Sequence, residues 1–452
     1  NRKNIKREVE MKDVISEKMK IKSMKETTKD LKIEAIEDPE MFYIPLQQHI
    51  GQVSRENIKI RDEVKRFQKI GELQGPVSSK LHSPISGTVR DIIENKLPNG
   101  RISRTIVIQN DYKYEEVELV KRQLSDIDST STEELLKIIE EAGIVGEGGA
   151  QFPTHIKYNV KGKKIKTLIL NGTECEPYLT TDYALMSERT EEFFNGIKIV
   201  SKILNPEEIY LVIEKESQEL KEKLEKFGKE IKGFKIKIVP TEYPQGSELQ
   251  LIKSVTGKEI AKSTLPVEIG VIVSNVGTVK AIHDAFVEGK PLVERIITIS
   301  GEKTGVKGNY LVKIGTPISH IFNKIKLLDS MENIRIVSGG PMMGNEITDM
   351  NTPIIKGTSG ILFLSNKIDS IERKNCISCG YCSDVCPMGL LPMKYEELYR
   401  KGKYEKLVKF NLDSCIECGA CEYICPSRVP LLESIKKGKE KLRELGGDEN
   451  GK

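Results

Sequence analysis

Eight of the nine cysteines in this chain fall in two matching runs, Cys376-x2-Cys379-x2-Cys382-x3-Cys386-Pro387 and Cys415-x2-Cys418-x2-Cys421-x3-Cys425-Pro426. That spacing is the ligand pattern of a protein holding two [4Fe–4S] clusters, and the chemistry it serves is one-electron transfer. The C-x2-C-x2-C stretch wraps a short loop round one cubane so that three thiolates reach three irons; the fourth cysteine, turned away by the following proline, ligates the other cluster. The pattern therefore predicts Cys376, Cys379, Cys382 and Cys425 on one cluster and Cys415, Cys418, Cys421 and Cys386 on the second. Four-cysteine zinc sites are the competing reading, but zinc ribbons space their C-x2-C pairs with a longer loop and have no need of three cysteines at three-residue intervals in both halves. Disulfides fit less well, because a compact array of this kind in a chain without a secretory signal points to metal in a reducing compartment.

A second segment with chemical potential is Gly146-Glu147-Gly148-Gly149-Ala150-Gln151-Phe152-Pro153-Thr154-His155-Ile156-Lys157. Glycines let a backbone approach a phosphate and offer N–H donors with no Cβ in the way, and a nearby Lys adds a point charge. The loop does not follow a strand, so the usual dinucleotide fingerprint is not met, and by itself it reads equally as a connection. The apolar run 167–170, however, ends in Asn171-Gly172-Thr173-Glu174-Cys175-Glu176-Pro177, and the run 270–273 ends in Ser274-Asn275-Val276-Gly277-Thr278. Polar residues just beyond the carboxyl ends of strands in an open α/β sheet are where ligands bind. Cys175 lies between two glutamates whose field raises its thiol pKa, which makes it a packing residue. His49, His82 and His155 adjoin turns and read as ordinary hydrogen-bonding residues, and Lys161, Lys163, Lys164 and Lys166 as a solvated hairpin.

The elements that must position these groups divide the chain into several units, as its 452 residues suggest. Residues 1–40 mix Lys and Glu with scattered apolar side chains, which predicts a surface helix or extension without chemistry. Residues 41–110 read as short strands punctuated by Gly and Pro, including 57–60, 68–71 and 82–89, a small all-β unit. A capping box at Ser131 and Glu134 opens a helix that stops at Gly143 and delivers the chain into the glycine loop. Apolar runs at 167–170, 209–213, 234–239 and 270–273 alternate with helical patterns at 216–227 and 247–255 over residues 131–290, predicting an α/β sheet covered by helices. Short strands return at 291–345, a linker is expected near 345–368, the cysteine domain spans 369–430, and 431–452 reads as a charged tail. No apolar run approaches the roughly 18 residues a membrane span needs, and the N-terminal stretch has no signal-like apolar segment, so the expected location is cytoplasmic, at most peripheral on a membrane. A net charge of +4, no Trp and few aromatics argue against nucleic-acid binding.

The segments "VKRFQKIGE" and "LHSPISGTV" resemble the barrel-sandwich fold of biotinyl and lipoyl carrier domains, without the exposed lysine hairpin that carries the modification. Taken together, "GEGGAQFPTHIKY", "NGTECEPY", "YPQGSELQLIKSVTG", "SNVGTV" and the two cysteine runs resemble the RnfC component of the Rnf (Rsx) electron-transport complex and, more distantly, the flavin- and NADH-binding subunit of respiratory complex I. The resemblance implies a multidomain α/β and β protein: a barrel-sandwich N-terminal domain, an FMN- and NAD(H)-binding α/β domain, a β-grasp-like SLBB domain and a C-terminal two-[4Fe–4S] ferredoxin domain. It implies Gly146, Gly148, Gly149 and Lys157 round the FMN phosphate and ribityl chain, with Asn171, Thr173, Glu174 and Asn275 along its polar edges. It places Phe152 and Glu176 against the nicotinamide nucleotide and Gln245 and Glu248 where the complex I relative has an acidic stretch. Glu147 stands where that relative has Arg, and Gln151 where it has Gly.

The expected function is electron passage between NADH, FMN and two [4Fe–4S] clusters, with other subunits of a membrane Rnf-type complex as partners. The alternative is a soluble adaptor feeding a reductase such as proline reductase, with or without direct NADH oxidation. Hydride transfer moves two electrons and a cubane takes one, so a flavin between them is chemically required. Anaerobically prepared protein is expected to hold about eight iron and about eight acid-labile sulfide per chain; stoichiometric zinc without sulfide in metal analysis would end the electron-transfer reading.

Overall fold

The computed structural model describes residues 21–260, 264–366 and 373–447. Residues 41–110 build two small antiparallel sheets. Strands Met41–Pro45, Ile102–Asn110, Gly87–Lys96 and Glu63–Val64 lie side by side in that order, and Arg55–Glu56, Lys69–Glu72 and Leu81–His82 form the second sheet. Alternation buries Phe42, Ile44, Ile106 and Ile108 between them with Ile70, Leu81 and Ile85. The strand expected at 57–60 is not formed: pairing stops at Glu56, and Ile58 is buried while Ile60 is half exposed.

The α/β unit carries a four-stranded parallel sheet in the order Phe234–Val239, Glu208–Glu214, Thr167–Gly172, Val271–Asn275. Leu168, Ile169 and Leu170 are fully buried in succession because helices cover both faces of the sheet. Thr190–Leu204 and Val276–His283 pack on one face, and Glu248–Thr256, with Leu251 and Ile252, seals the other. The strand order reverses between Thr167–Gly172 and Val271–Asn275, whose carboxyl ends set Asn171 beside Asn275. A crevice opens where such a reversal occurs.

Two expectations are overturned in the third unit. Its six-stranded sheet runs Ile33–Ala35, Gly308–Lys313, Glu294–Ser300, Gly360–Ser365, Ile334–Ser338, Asn345–Glu346, over a core closed by helix Ile318–Lys324. The segment expected as a linker thus supplies an interior strand: the apolar run Gly360–Ser365 pairs on both edges. Of the expected N-terminal extension, residues 21–40 belong to the packed structure, whereas 1–20 lie outside the described residues. Ile33–Ala35 is the sheet's edge strand, and buried Lys25 pairs with Glu214 at 2.9 Å. Of the charged tail, Leu431–Gly447 is a helix whose Leu431 and Ile435 enter the core of the cysteine unit, whereas 448–452 lie outside the described residues.

Lys356 joins three of these units. Its buried Nζ donates to the carbonyls of Lys80 in the barrel-sandwich (2.9 Å) and Gly143 at the mouth of the glycine loop (2.6 Å), and its N–H donates to Gln48 Oε1 (3.1 Å). With no carboxylate at hand, burial lowers its pKa from 10.5 to about 7. Between about pH 7 and 10.5 the unfolded chain holds a proton that the folded protein has released, so stability rises with pH across that window. Lys356→Met is expected to abolish this rise in thermal melts, and to destabilise by about 1–3 kcal/mol by leaving the two carbonyls only the single hydroxyl of Ser79.

Candidate functional site

The glycine loop is closed at its base by pairing of Val145 with Pro153 and by a Gly146 N–H to Phe152 carbonyl bond of 3.0 Å. Its tip stands over the crevice: a Cβ on Gly148 would lie 3.3 Å from Asn275 Nδ2, whereas one on Gly149, at φ +73°, would meet nothing within 4 Å. The open space at Gly149 fits close approach of a phosphate-bearing cofactor to bare backbone. Asn275 caps helix Val276–His283, accepting from Gly277 N at 2.8 Å and donating to Asp182 Oδ2 at 2.7 Å. Glu147 donates its N–H to Thr278 Oγ1 (3.0 Å). Its carboxyl, 9% exposed, stands 4.0 Å from the guanidinium of buried Arg295. Burial raises the Glu147 pKa against the pull of Arg295, and burial together with the charge of Glu174 raises that of Asp182.

The other expected contacts divide into those facing the crevice and those already engaged. Asn171 Oδ1 accepts from Thr173 N and Oγ1 at 3.0 and 2.6 Å, and its amide donates to Gly246 O at 3.1 Å. Lys157, on the short helix Thr154–Tyr158, is salt-bridged to Glu248 at 3.0 Å, so two residues expected to meet different regions of the ligand neutralise one another here. Glu174 is turned to the start of helix Thr181–Glu188, accepting from Thr181 Oγ1 (2.6 Å) and Tyr183 N (3.0 Å). Gln245 donates to Ser254 (2.7 Å). Burial pushes the Cys175 thiol up to about 12, in keeping with a packing residue.

Glu176, expected beside a nicotinamide, is engaged within the chain. Its carboxylate oxygens accept the N–H groups of Met342 (3.0 Å) and Met343 (2.8 Å) in the "SGGPMMG" loop. A Cβ on Gly340 would stand 2.1 Å from Glu176 Oε2, so only glycine admits this seating. Asp182, Arg295, Tyr243 and Gln250 complete the surroundings and were not legible as site residues. The one signal for Arg295 and Asp182 is a charge set in otherwise apolar stretches, "RIITIS" and "LTTDYALM".

The cysteines gather round two cavities, one rimmed by Cys376, Cys379, Cys382 and Cys425, the other by Cys386, Cys415, Cys418 and Cys421. The fourth cysteine of each run thus lines the other run's cavity. The halves repeat locally: Ser378 and Glu417 both turn into the left-handed region at φ 56° and 57°, sending their N–H groups to Cys376 and Cys415 Sγ at 3.5 and 3.4 Å. Leu390 N and Val429 N donate to Cys386 and Cys425 Sγ at 3.3 and 3.5 Å. Amide donors aimed at sulfur suit thiolates that carry a cluster's negative charge. Burial pushes the bare Cys418 thiol up to about 11, so thiolate formation there is coupled to metal binding.

A parallel α/β sheet with a glycine loop over its reversal point, joined to a pair of four-cysteine cavities, defines a flavin and iron–sulfur electron-transfer protein. The family models described as RnfC barrel sandwich hybrid domain, Nuo51 FMN-binding domain and 4Fe-4S dicluster domain match residues 15–113, 139–284 and 375–429. The C subunit of the proton-translocating ferredoxin:NAD(+) oxidoreductase complex of Clostridium ljungdahlii is 39% identical over 388 residues, 84% of this chain and 83% of the relative. The C subunit of the ion-translocating oxidoreductase complex of Rhodobacter capsulatus is 39% identical over 426 residues, covering 93% and 81%. That of Haemophilus influenzae is 38% identical over 409, covering 89% and 50%. The chain belongs to the RnfC family, the C subunits of the ion-translocating (Rnf) oxidoreductase complexes. Its cofactors are FMN and two [4Fe–4S] clusters, and its class is oxidoreductase.

Glu176 yields a pH signature. Burial lifts its pKa from 4.5 to about 7 in spite of the two amide donors. The folded state therefore keeps a proton that the unfolded chain loses, and stability falls as pH rises from about 4.5 to 7. Glu176→Gln is expected to remove that fall, as measured by melting temperature against pH.

Proposed function

We propose that the chain oxidises or reduces NAD(H) at the crevice between Asn171 and Asn275 and exchanges the electrons singly with a protein partner at the exposed end of the cysteine unit. FMN, when bound, would supply the chemistry that takes the two electrons of one hydride and gives them up one at a time. Gly148 and Gly149 would give the backbone approach to its phosphate, with Asn171, Thr173 and Asn275 along its polar edge and Lys157 released from Glu248 toward the anion. No side chain has to act as a strong acid or base. The residues orient the nucleotide and exclude water, and the buried Glu147, Asp182 and Arg295 fix the loop and helix start beneath it.

The seating of the cysteine unit carries this reading. The cavity of Cys386, Cys415, Cys418 and Cys421 lies against the α/β unit, where Tyr243 and Ile416 pack together with Val385, Cys418 and Ala420. The loop of the other set is open: Cys376 and Cys379 are exposed, and Ile377, the counterpart of Ile416, is 67% exposed. One ligand set is therefore inner and the other outer, and the outer loop is the face for an electron-transfer partner, a neighbouring subunit of a membrane complex. No helix among the described residues is long and apolar enough to cross a membrane, which suits peripheral attachment through such subunits.

Rapid mixing of the purified protein with NADH tests the proposal. Bleaching of flavin absorbance followed by that of the clusters is expected. Gly149→Val should lower FMN retention at least about tenfold, because a side chain would fill the open approach. Protein that contains FMN but is bleached by neither NADH nor NADPH would replace this function with that of an electron-transfer adaptor.

A further inference from the structure

Two side chains of the α/β unit reach the loops of the inner cysteine set. The Tyr243 hydroxyl donates to the carbonyl of Cys418 at 2.6 Å. Gln250, on helix Glu248–Thr256, donates from Nε2 to the carbonyl of Pro387, the residue after Cys386, at 3.1 Å. Tyr243 is packed against Val385, Cys418 and Ala420, and Glu176 holds the "SGGPMMG" loop through the Met342 and Met343 amides. The "SGGPMMG" loop also presses on the cysteine loop, since a Cβ on Gly419 would lie 2.8 Å from Met342 O.

We propose that Tyr243 and Gln250 are positioning residues that set the reduction potential of the cluster on Cys386, Cys415, Cys418 and Cys421 separately from that of the other cluster. Cluster potentials respond to nearby dipoles, hydrogen bonds and solvent exposure. The Cys418 and Pro387 carbonyls bring the negative ends of peptide dipoles to the rim of this cavity, and in a poorly solvated site those ends oppose addition of an electron. A donor on each carbonyl offsets that field and stabilises the reduced cluster. The two halves of the unit have the same local backbone turns, yet Cys376 and Cys379 are exposed where their counterparts Cys415 and Cys418 are half-buried and buried. The α/β unit thus makes two otherwise similar clusters unequal. The inference rests on the proposed inner placement of this cluster.

Potentiometric titration of anaerobically prepared full-length protein, followed by electron paramagnetic resonance, tests it. The step belonging to the inner cluster is identified by its loss in Cys415→Ala. Tyr243→Phe, with iron content unchanged, is expected to shift that step about tenfold toward the oxidised form, about 59 mV more negative for a one-electron couple, and to leave the other step in place. Gln250→Leu should move the same step in the same direction, and it decides the matter if Tyr243→Phe sheds iron. Unchanged potentials in iron-replete variants, or equal shifts of both steps, would overturn the inference. Chemical mediators supply the electrons, so protein that ignores NADH would defeat the proposed function and leave this result readable.

Discussion

Lys356 gives its protons to the carbonyls of Lys80 and Gly143, Arg295 gives one to that of Glu147, and Tyr243 gives one to that of Cys418. On such bonds, from a buried side chain of one unit to the backbone of the next, the whole arrangement depends. Each receiving carbonyl lies in a loop or strand end that its own unit leaves unpaired, and an unpaired buried carbonyl costs about 1–3 kcal/mol. The units are therefore complete as polar structures only when docked, which fixes the glycine loop, the crevice and the inner cysteine cavity in one relation.

That relation gives a near-symmetric module an asymmetric setting. Ser378 and Glu417, and Leu390 and Val429, repeat the same backbone-to-sulfur bonds in each half. Ile416 packs, as Tyr243 does, on the cluster of Val385, Cys418 and Ala420, while Ile377 faces solvent. Direction in such a module comes from what covers each end, and here one end is covered by the chain itself.

The cysteine spacing was legible because ligand geometry is local: a loop of a few residues must deliver three thiolates, and the proline marks the departing fourth. The parallel strands and the Ser131 cap were legible for the same reason, from apolar runs and a three-residue offset. What escaped the sequence depends on distant partners. Glu176 carries the same letters whether it faces a nucleotide or the amides of Met342 and Met343, and only the fold brings those amides to it. Gly360–Ser365 looked like a linker because an interior strand shared by two neighbours has no alternation to betray it. Ile33–Ala35 is three residues of a charged stretch whose pairing with Gly308–Lys313 no local pattern encodes.

That short strand has a consequence for how the molecule is made. Asn309 binds the carbonyl of Thr28, 281 positions earlier, and Ile33 pairs with Asn309 in the same strand. The barrel-sandwich and the α/β unit are thus threaded between two strands of a single sheet. During synthesis the arm at 25–35 emerges well before its partner strand and must wait, unpaired, until the ribosome has delivered Gly308–Lys313. Contacts of such separation make assembly slow, and once the sheet has been made, the edge at Gly308–Lys313 offers free backbone groups to any passing strand until the arm docks. The Lys25–Glu214 pair lies between these limits in chain order, so it can tether the arm to the α/β unit well before its final strand partner exists.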